Sequence, residues 1–67
     1  MTRLTLNGEV VTLVEPATVE VAVDGLGRGR SGVAVAVNGE VVPRSCWPAT
    51  KLADGDQVEV LTAVQGG

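Results

Sequence analysis

Apolar and polar positions alternate along most of the chain, and the alternation breaks at a few turn-forming pairs. Asn7-Gly8 and Asn38-Gly39 each stand between runs rich in Leu and Val. Asn-Gly between such runs signals a two-residue hairpin, because a type I′ turn needs φ > 0 at both central positions. A two-residue loop at Asn7-Gly8 pairs Leu6 with Glu9, Leu4 with Val11 and Thr2 with Leu13. Directly paired residues share a face. Leu4, Leu6, Val11 and Leu13 then lie on one face, and Arg3, Thr5, Val10, Thr12 and Val14 on the other. The same construction at Asn38-Gly39 pairs Val37 with Glu40, Ala36 with Val41 and Val35 with Val42. It puts Val33, Val35, Val37 and Val42 on one face and Ala34, Ala36 and Val41 on the other. The phrases from Leu6 to Val11 and from Val37 to Val42 are nearly the same. Two copies are reuse of one turn solution, since a repeat architecture needs more units.

Residues 57–64 form the last predicted strand. Val58, Val60, Thr62 and Val64 point one way, and Glu59, Leu61 and Ala63 the other. Pro43 and Pro48 bar regular pairing, so residues 43–56 read as loop with a tight turn at Asp54-Gly55-Asp56. The segment from Thr18 to Asp24 is ambiguous. Its period-two alternation suits a strand. A helix reading also works, with Thr18 as N-cap, Glu20 in the first turn, and Val19, Ala22, Val23 and Leu26 on one stripe. Gly25 or Gly27 would end it. Architecture decides: two hairpins and a lone strand make a sheet with one apolar face, and a short amphipathic helix is the usual cover. The predicted fold is α+β, β-β-α-β-β-β, with a mixed sheet covered by one short helix.

Composition narrows the chemistry. A chain of 67 residues has room for one domain and no deep cleft. It contains no His, Phe or Tyr, and Trp47 is its only aromatic residue. No imidazole is present for general base work or for a metal site. The net charge is −3. A nucleic-acid partner needs a clustered cationic face and stacking aromatics, so none is expected. Cys46 stands alone and cannot form an internal disulfide. The apolar runs are too short to cross a bilayer, and no leader pattern opens the chain. A cytoplasmic protein with no membrane partner is the expectation.

Three motifs have bland explanations. Gly27 to Gly32 matches G-x-G-x-x-G, but a strand follows where a dinucleotide site needs a helix, so it reads as a solvated connection. Cys46 has no His and only Arg44 as a nearby cation, so it reads as a packed or half-exposed thiol, not a nucleophile. Asp54, Asp56 and Glu59 lack calcium-loop spacing and read as a solvated turn. Trp47 reads as a lid over the end of the core.

The closing residues differ. The last strand runs into Gln65-Gly66-Gly67. Glycine lacks Cβ and can lie extended in a narrow channel. The expected arrangement is a β-grasp domain over 1–64 and a flexible Gly-Gly tail over 65–67 that presents its carboxylate to a partner. A carboxylate is a poor electrophile, so another enzyme must first activate it, for example with AMP. This reading makes the chain a carrier and not an enzyme. Its partners would dock near the last strand, where Leu61, Ala63 and Val41 form an apolar set away from the helix. Leu61 is left open between interface and core.

Several phrases carry a family likeness: Leu6 to Glu9, GVAVAVNGEVVPRS over 32–45, Trp47, Leu52, Asp54 to Asp56, and Val58 to Val60 through Gln65-Gly66-Gly67. Together they resemble the sulfur carriers of thiamine biosynthesis, ubiquitin-like proteins of β-grasp fold. The likeness covers nearly the whole chain. It departs at residues 19–30, where the family has a leucine-rich helix and this chain has Val-Glu-Val-Ala-Val followed by an Arg/Gly loop. The resemblance implies that a partner of the ubiquitin-activating type uses ATP to adenylate the Gly67 carboxylate. Sulfur from a cysteine desulfurase route then displaces AMP, and the resulting thiocarboxylate serves thiazole synthase in building the thiazole ring. In that scheme Gly67 bears the cargo, Gly66 gives reach, and Gln65 and Val64 thread the partner's channel. The chain itself would bind no cofactor. Alternatives are a carrier for molybdopterin or cysteine synthesis, a ubiquitin-like protein modifier, and a plain ubiquitin-like interaction module.

Overall fold

The computed structural model describes residues 1–26 and 32–62. The first hairpin consists of β1 (Thr2–Leu6) and β2 (Glu9–Leu13), and a short helix, α1 (Val19–Asp24), follows. The second hairpin is β3 (Val33–Val37) and β4 (Glu40–Val42), and the last strand is β5 (Gln57–Thr62). Five strands form one mixed sheet in the order β2-β1-β5-β3-β4. This is the β-grasp order, with β5 threaded between the two hairpins. It runs parallel to β1 and antiparallel to β3.

Both hairpins take the expected registers, Leu4 opposite Val11 and Ala36 opposite Val41. Their turns share one backbone solution. Asn7 and Asn38 have φ of 52° and 51°, and Gly8 and Gly39 have 84° and 85°. Asn tolerates the left-handed region and Gly adopts it freely, as a type I′ turn requires.

The helix reading of residues 18–24 holds. Thr18 caps α1, its hydroxyl accepting from the Val21 N–H at 3.3 Å, and Gly25 ends it. Three of the six helical residues are Val, at a propensity cost of up to about 0.7 kcal/mol each. Full burial of one Val side chain contributes roughly 1.5–3 kcal/mol. Val19 and Val23 are fully buried, with Ala22 between them, so packing outweighs propensity. The i, i+3, i+4 spacing of these three buries one helical face, and the period-two pattern loses.

The segment read as loop holds more structure than expected. Arg44–Ala49 forms a 3₁₀ helix. Its end is tied by the Thr50 hydroxyl, which donates to the Cys46 carbonyl at 2.8 Å. Pro43 and Pro48 do bar a strand, but a short 3₁₀ turn tolerates a missing donor. The next residues strap the start of α1: the Val19 N–H donates to the Thr50 carbonyl, and the Leu52 N–H to the Ala17 carbonyl.

Trp47, expected as a lid, is instead 1% exposed and central to the core. It packs with Leu4, Val19, Val23, Val35, Leu52, Val58 and Val60. Its indole Nε1 donates to the Val42 carbonyl at 3.0 Å, which satisfies the one polar atom that burial would strand. The 3₁₀ turn carries this side chain under α1, so the segment supplies the largest piece of the core.

Trp47→Ala is therefore expected to cost about 3–5 kcal/mol. In a domain of this size that leaves little or no folded population at 25 °C. Urea denaturation followed by far-UV circular dichroism checks this; a loss below about 1 kcal/mol would show that Trp47 is peripheral.

Candidate functional site

Strand β5 ends at Thr62, and residues 63–67 follow it. The expected tail residues Ala63, Val64, Gln65, Gly66 and Gly67 lie outside the described residues, as does most of the Gly27–Gly32 motif. What the structure provides is the ground from which the tail departs.

The sheet has two unlike faces. Leu4, Val35, Val58 and Val60 are buried beneath α1 and the 3₁₀ turn. The opposite face carries no layer among the described residues. Leu61 pairs with Ala34 across β5 and β3, and Ala36 pairs with Val41 across β3 and β4. Pairs and i, i+2 neighbours share a face, so these four form one apolar patch running outward from the end of β5. Leu61 is 67% exposed and Val41 is 77% exposed. Leu61 is thus a surface residue and not core. Sequence reasoning named Leu61 and Val41 and missed Ala34 and Ala36 as the link between them. Those alanines were already placed on the face of Val41; the missing fact was that β5 docks against β3.

Glu59 and Gln57 occupy the same face nearer the start of β5, and Arg3 and Thr5 lie beside them on β1. Glu59 lies opposite Ala36 at the border of the apolar patch, Val10 is exposed beside Thr5, and the Leu61–Ala34 pair stands at the end of β5.

Two asparagines fix β5 from its two edges. The Asn38 N–H donates to the Gln57 carbonyl at 2.7 Å, and its Oδ1 accepts from the Gln57 N–H at 2.9 Å. On the other edge the Asn7 N–H donates to the Val58 carbonyl at 2.9 Å. The Asn7 Oδ1 accepts from the Val60 N–H at 2.8 Å, and its Nδ2 donates to the Val60 carbonyl at 3.2 Å. Neither side-chain role was read from the sequence, where Asn-Gly signalled only a turn.

The remaining candidates have structural roles or none. The Asp54 Oδ1 accepts from the Arg3 N–H at 2.8 Å. Asp56 accepts from the Ala53 N–H with Oδ2 and from the Asn38 Nδ2 with Oδ1. These carboxylates brace the turn before β5, which is more than a solvated turn. Cys46 is a free, exposed thiol on the 3₁₀ turn. Among the described residues no group of three or more His, Cys, Asp or Glu side chains could hold a metal ion. No helix among them is long and apolar enough to cross a membrane.

Comparison with known proteins agrees with this architecture. The ThiS family model matches residues 4–67. The chain is 28% identical over 65 residues to the sulfur carrier protein ThiS of Escherichia coli, covering 97% of this chain and 98% of that one. It is 35% identical over 65 residues to a thiazole synthase of Paramagnetospirillum magneticum, where it covers 97% of this chain but spans only 20% of that protein's length. The crystal structure of the thiamine biosynthesis protein ThiS from Geobacter metallireducens superposes with a TM-score of 0.78 at 35% identity, covering 98% of this chain and all of that one. The β5-centred mixed sheet, the single short helix and a family match that reaches the last residue agree with one another: the chain belongs to the ThiS family, with its ubiquitin-like β-grasp fold.

Proposed function

We propose that the chain is a sulfur carrier of thiamine biosynthesis, with its cargo on the carboxylate of Gly67. Membership of the ThiS family supports this reading, as does the carrier name of the Escherichia coli relative. The structural observation that carries it is the continuity of the Leu61–Ala34–Ala36–Val41 patch with the strand that runs into Gln65-Gly66-Gly67. A partner seated on that patch has the tail directed into its own active site.

A Gly67 carboxylate oxygen attacks the α-phosphorus of ATP in an adenylating partner of the ubiquitin-activating type, and pyrophosphate leaves. The terminal sulfur of a donor persulfide, formed by a cysteine desulfurase route, attacks the acyl carbon and AMP leaves. A further thiol takes the donor's sulfur as a disulfide and releases the thiocarboxylate. Thiocarboxylate sulfur is a good nucleophile and is passed to thiazole synthase. The matching segment within the Paramagnetospirillum magneticum thiazole synthase supports that last partner. This chain supplies the carboxylate, its reach and the docking patch. It binds no cofactor in the scheme, acts in the cytoplasm, and leaves bond making to its partners.

Incubating the full chain with ATP and the adenylating enzyme of its own organism is expected to add one AMP, located at Gly67 by intact and fragment mass spectrometry. Deleting Gly67 should abolish the adduct. A wild-type chain that stays unmodified beside an enzyme active in pyrophosphate exchange would contradict the carrier reading.

Leu61→Asp and Val41→Asp test the patch. Each is expected to raise the apparent KM for adduct formation about tenfold or more. Each should lower the melting temperature by no more than about 8 °C, the shift that 1 kcal/mol produces in a domain of 60–100 residues. Outright unfolding would place the side chain in the core, and an unchanged KM would remove the patch from the interface.

A further inference from the structure

The two Asn-Gly turns have the same backbone, yet their asparagine side chains hold different points of β5. Asn38 grips Gln57, the first residue of the strand. Asn7 grips Val60, two residues before the strand ends at Thr62. The first hairpin turns back at Asn7-Gly8, so β1 supplies no main-chain partner beside Val60. The Asn7 carboxamide takes that place. Its oxygen accepts from the Val60 N–H and its nitrogen donates to the Val60 carbonyl, two bonds that two different residues of a continuing parallel strand would supply. By strand alternation, the next main-chain groups on this edge belong to Thr62. Beyond the Asn7 grip, β3 is the flanking strand that continues, with Val33 opposite Thr62.

We infer that Asn7 is a positioning residue for the carrier's tail: its carboxamide extends the β1 edge past the turn and fixes the point from which the tail leaves the sheet. The inference rests on the carrier reading above and deepens it. Val60 is buried, so without the grip its N–H and C=O have no partner on that edge and the strand end frays. The tail would then depart from an earlier and less defined point. A partner that docks on the Leu61 patch would have to order those residues before it could receive Gly67, and the cost would appear in encounter and not in chemistry.

The test compares Asn7→Gly with Asn38→Gly. Glycine preserves the positive φ of both turns and removes only the carboxamide. In the free full chain, Asn7→Gly is expected to raise amide exchange at Val60 about tenfold relative to the core amide of Val35, as loss of a net hydrogen bond predicts. Asn38→Gly should leave that ratio unchanged. In the AMP-adduct assay, Asn7→Gly should raise the apparent KM about threefold to tenfold with kcat unchanged, and Asn38→Gly should alter neither. Asn7→Asp keeps the acceptor for the Val60 N–H and loses the donor, so it should fall between wild type and Asn7→Gly. Equal effects of the two glycine variants on KM, or an unchanged Val60 exchange ratio in Asn7→Gly, would overturn the inference. A wild-type chain that forms no adduct would overturn the carrier reading as well; a loaded wild type with Asn7→Gly unaffected would overturn only the role of Asn7.

Discussion

The last strand of the chain is the middle strand of the sheet, and most of the structure follows from that placement. β5 pairs with β1 on one edge and with β3 on the other, so within the sheet the two hairpins are joined through it. Its alternate residues Val58 and Val60 enter the core, and each fully buried Val contributes roughly 1.5–3 kcal/mol. The β1–β5 pairing joins residues about fifty positions apart, and such long-range pairing slows folding. The strand that precedes residues 63–67 is the central strand of the sheet and not an edge strand.

The same strand divides the two faces. A chain of 67 residues can fill only one side of its sheet, and α1 with the 3₁₀ turn and Trp47 fill it. Apolar residues on the other side need a different explanation, and an interaction surface is the usual one. Leu61, Ala34, Ala36 and Val41 lie on that side, next to where the tail begins.

Much of this was legible in the residues. Asn-Gly fixed the hairpin registers because only a few residue pairs accept the I′ turn, and period-two patterning then assigned each side chain to a face. Local propensity did not settle α1, since Val19, Val21 and Val23 alternate like a strand; the need to cover an apolar sheet did. The 3₁₀ helix was hidden because two prolines mark an interruption without saying what replaces the strand. Trp47 was underrated for the same reason, its burial depending on how residues 43–52 fold back beneath α1. The strand order and the grip of Asn7 on Val60 depend on contacts between distant segments, and no local pattern encodes them. The Gly-Gly end was visible at once, although its use depends on partners.

The carrier proposal places sulfur on Gly67. The most direct measurement is the intact mass of this chain isolated from its own organism during growth without thiamine. A population is expected in which one oxygen is exchanged for sulfur at Gly67; alkylation should add the alkyl group to that sulfur, and hydrolysis should return the unmodified mass. A chain that shows only the unmodified mass under those conditions, while the same cells make thiamine, would contradict it.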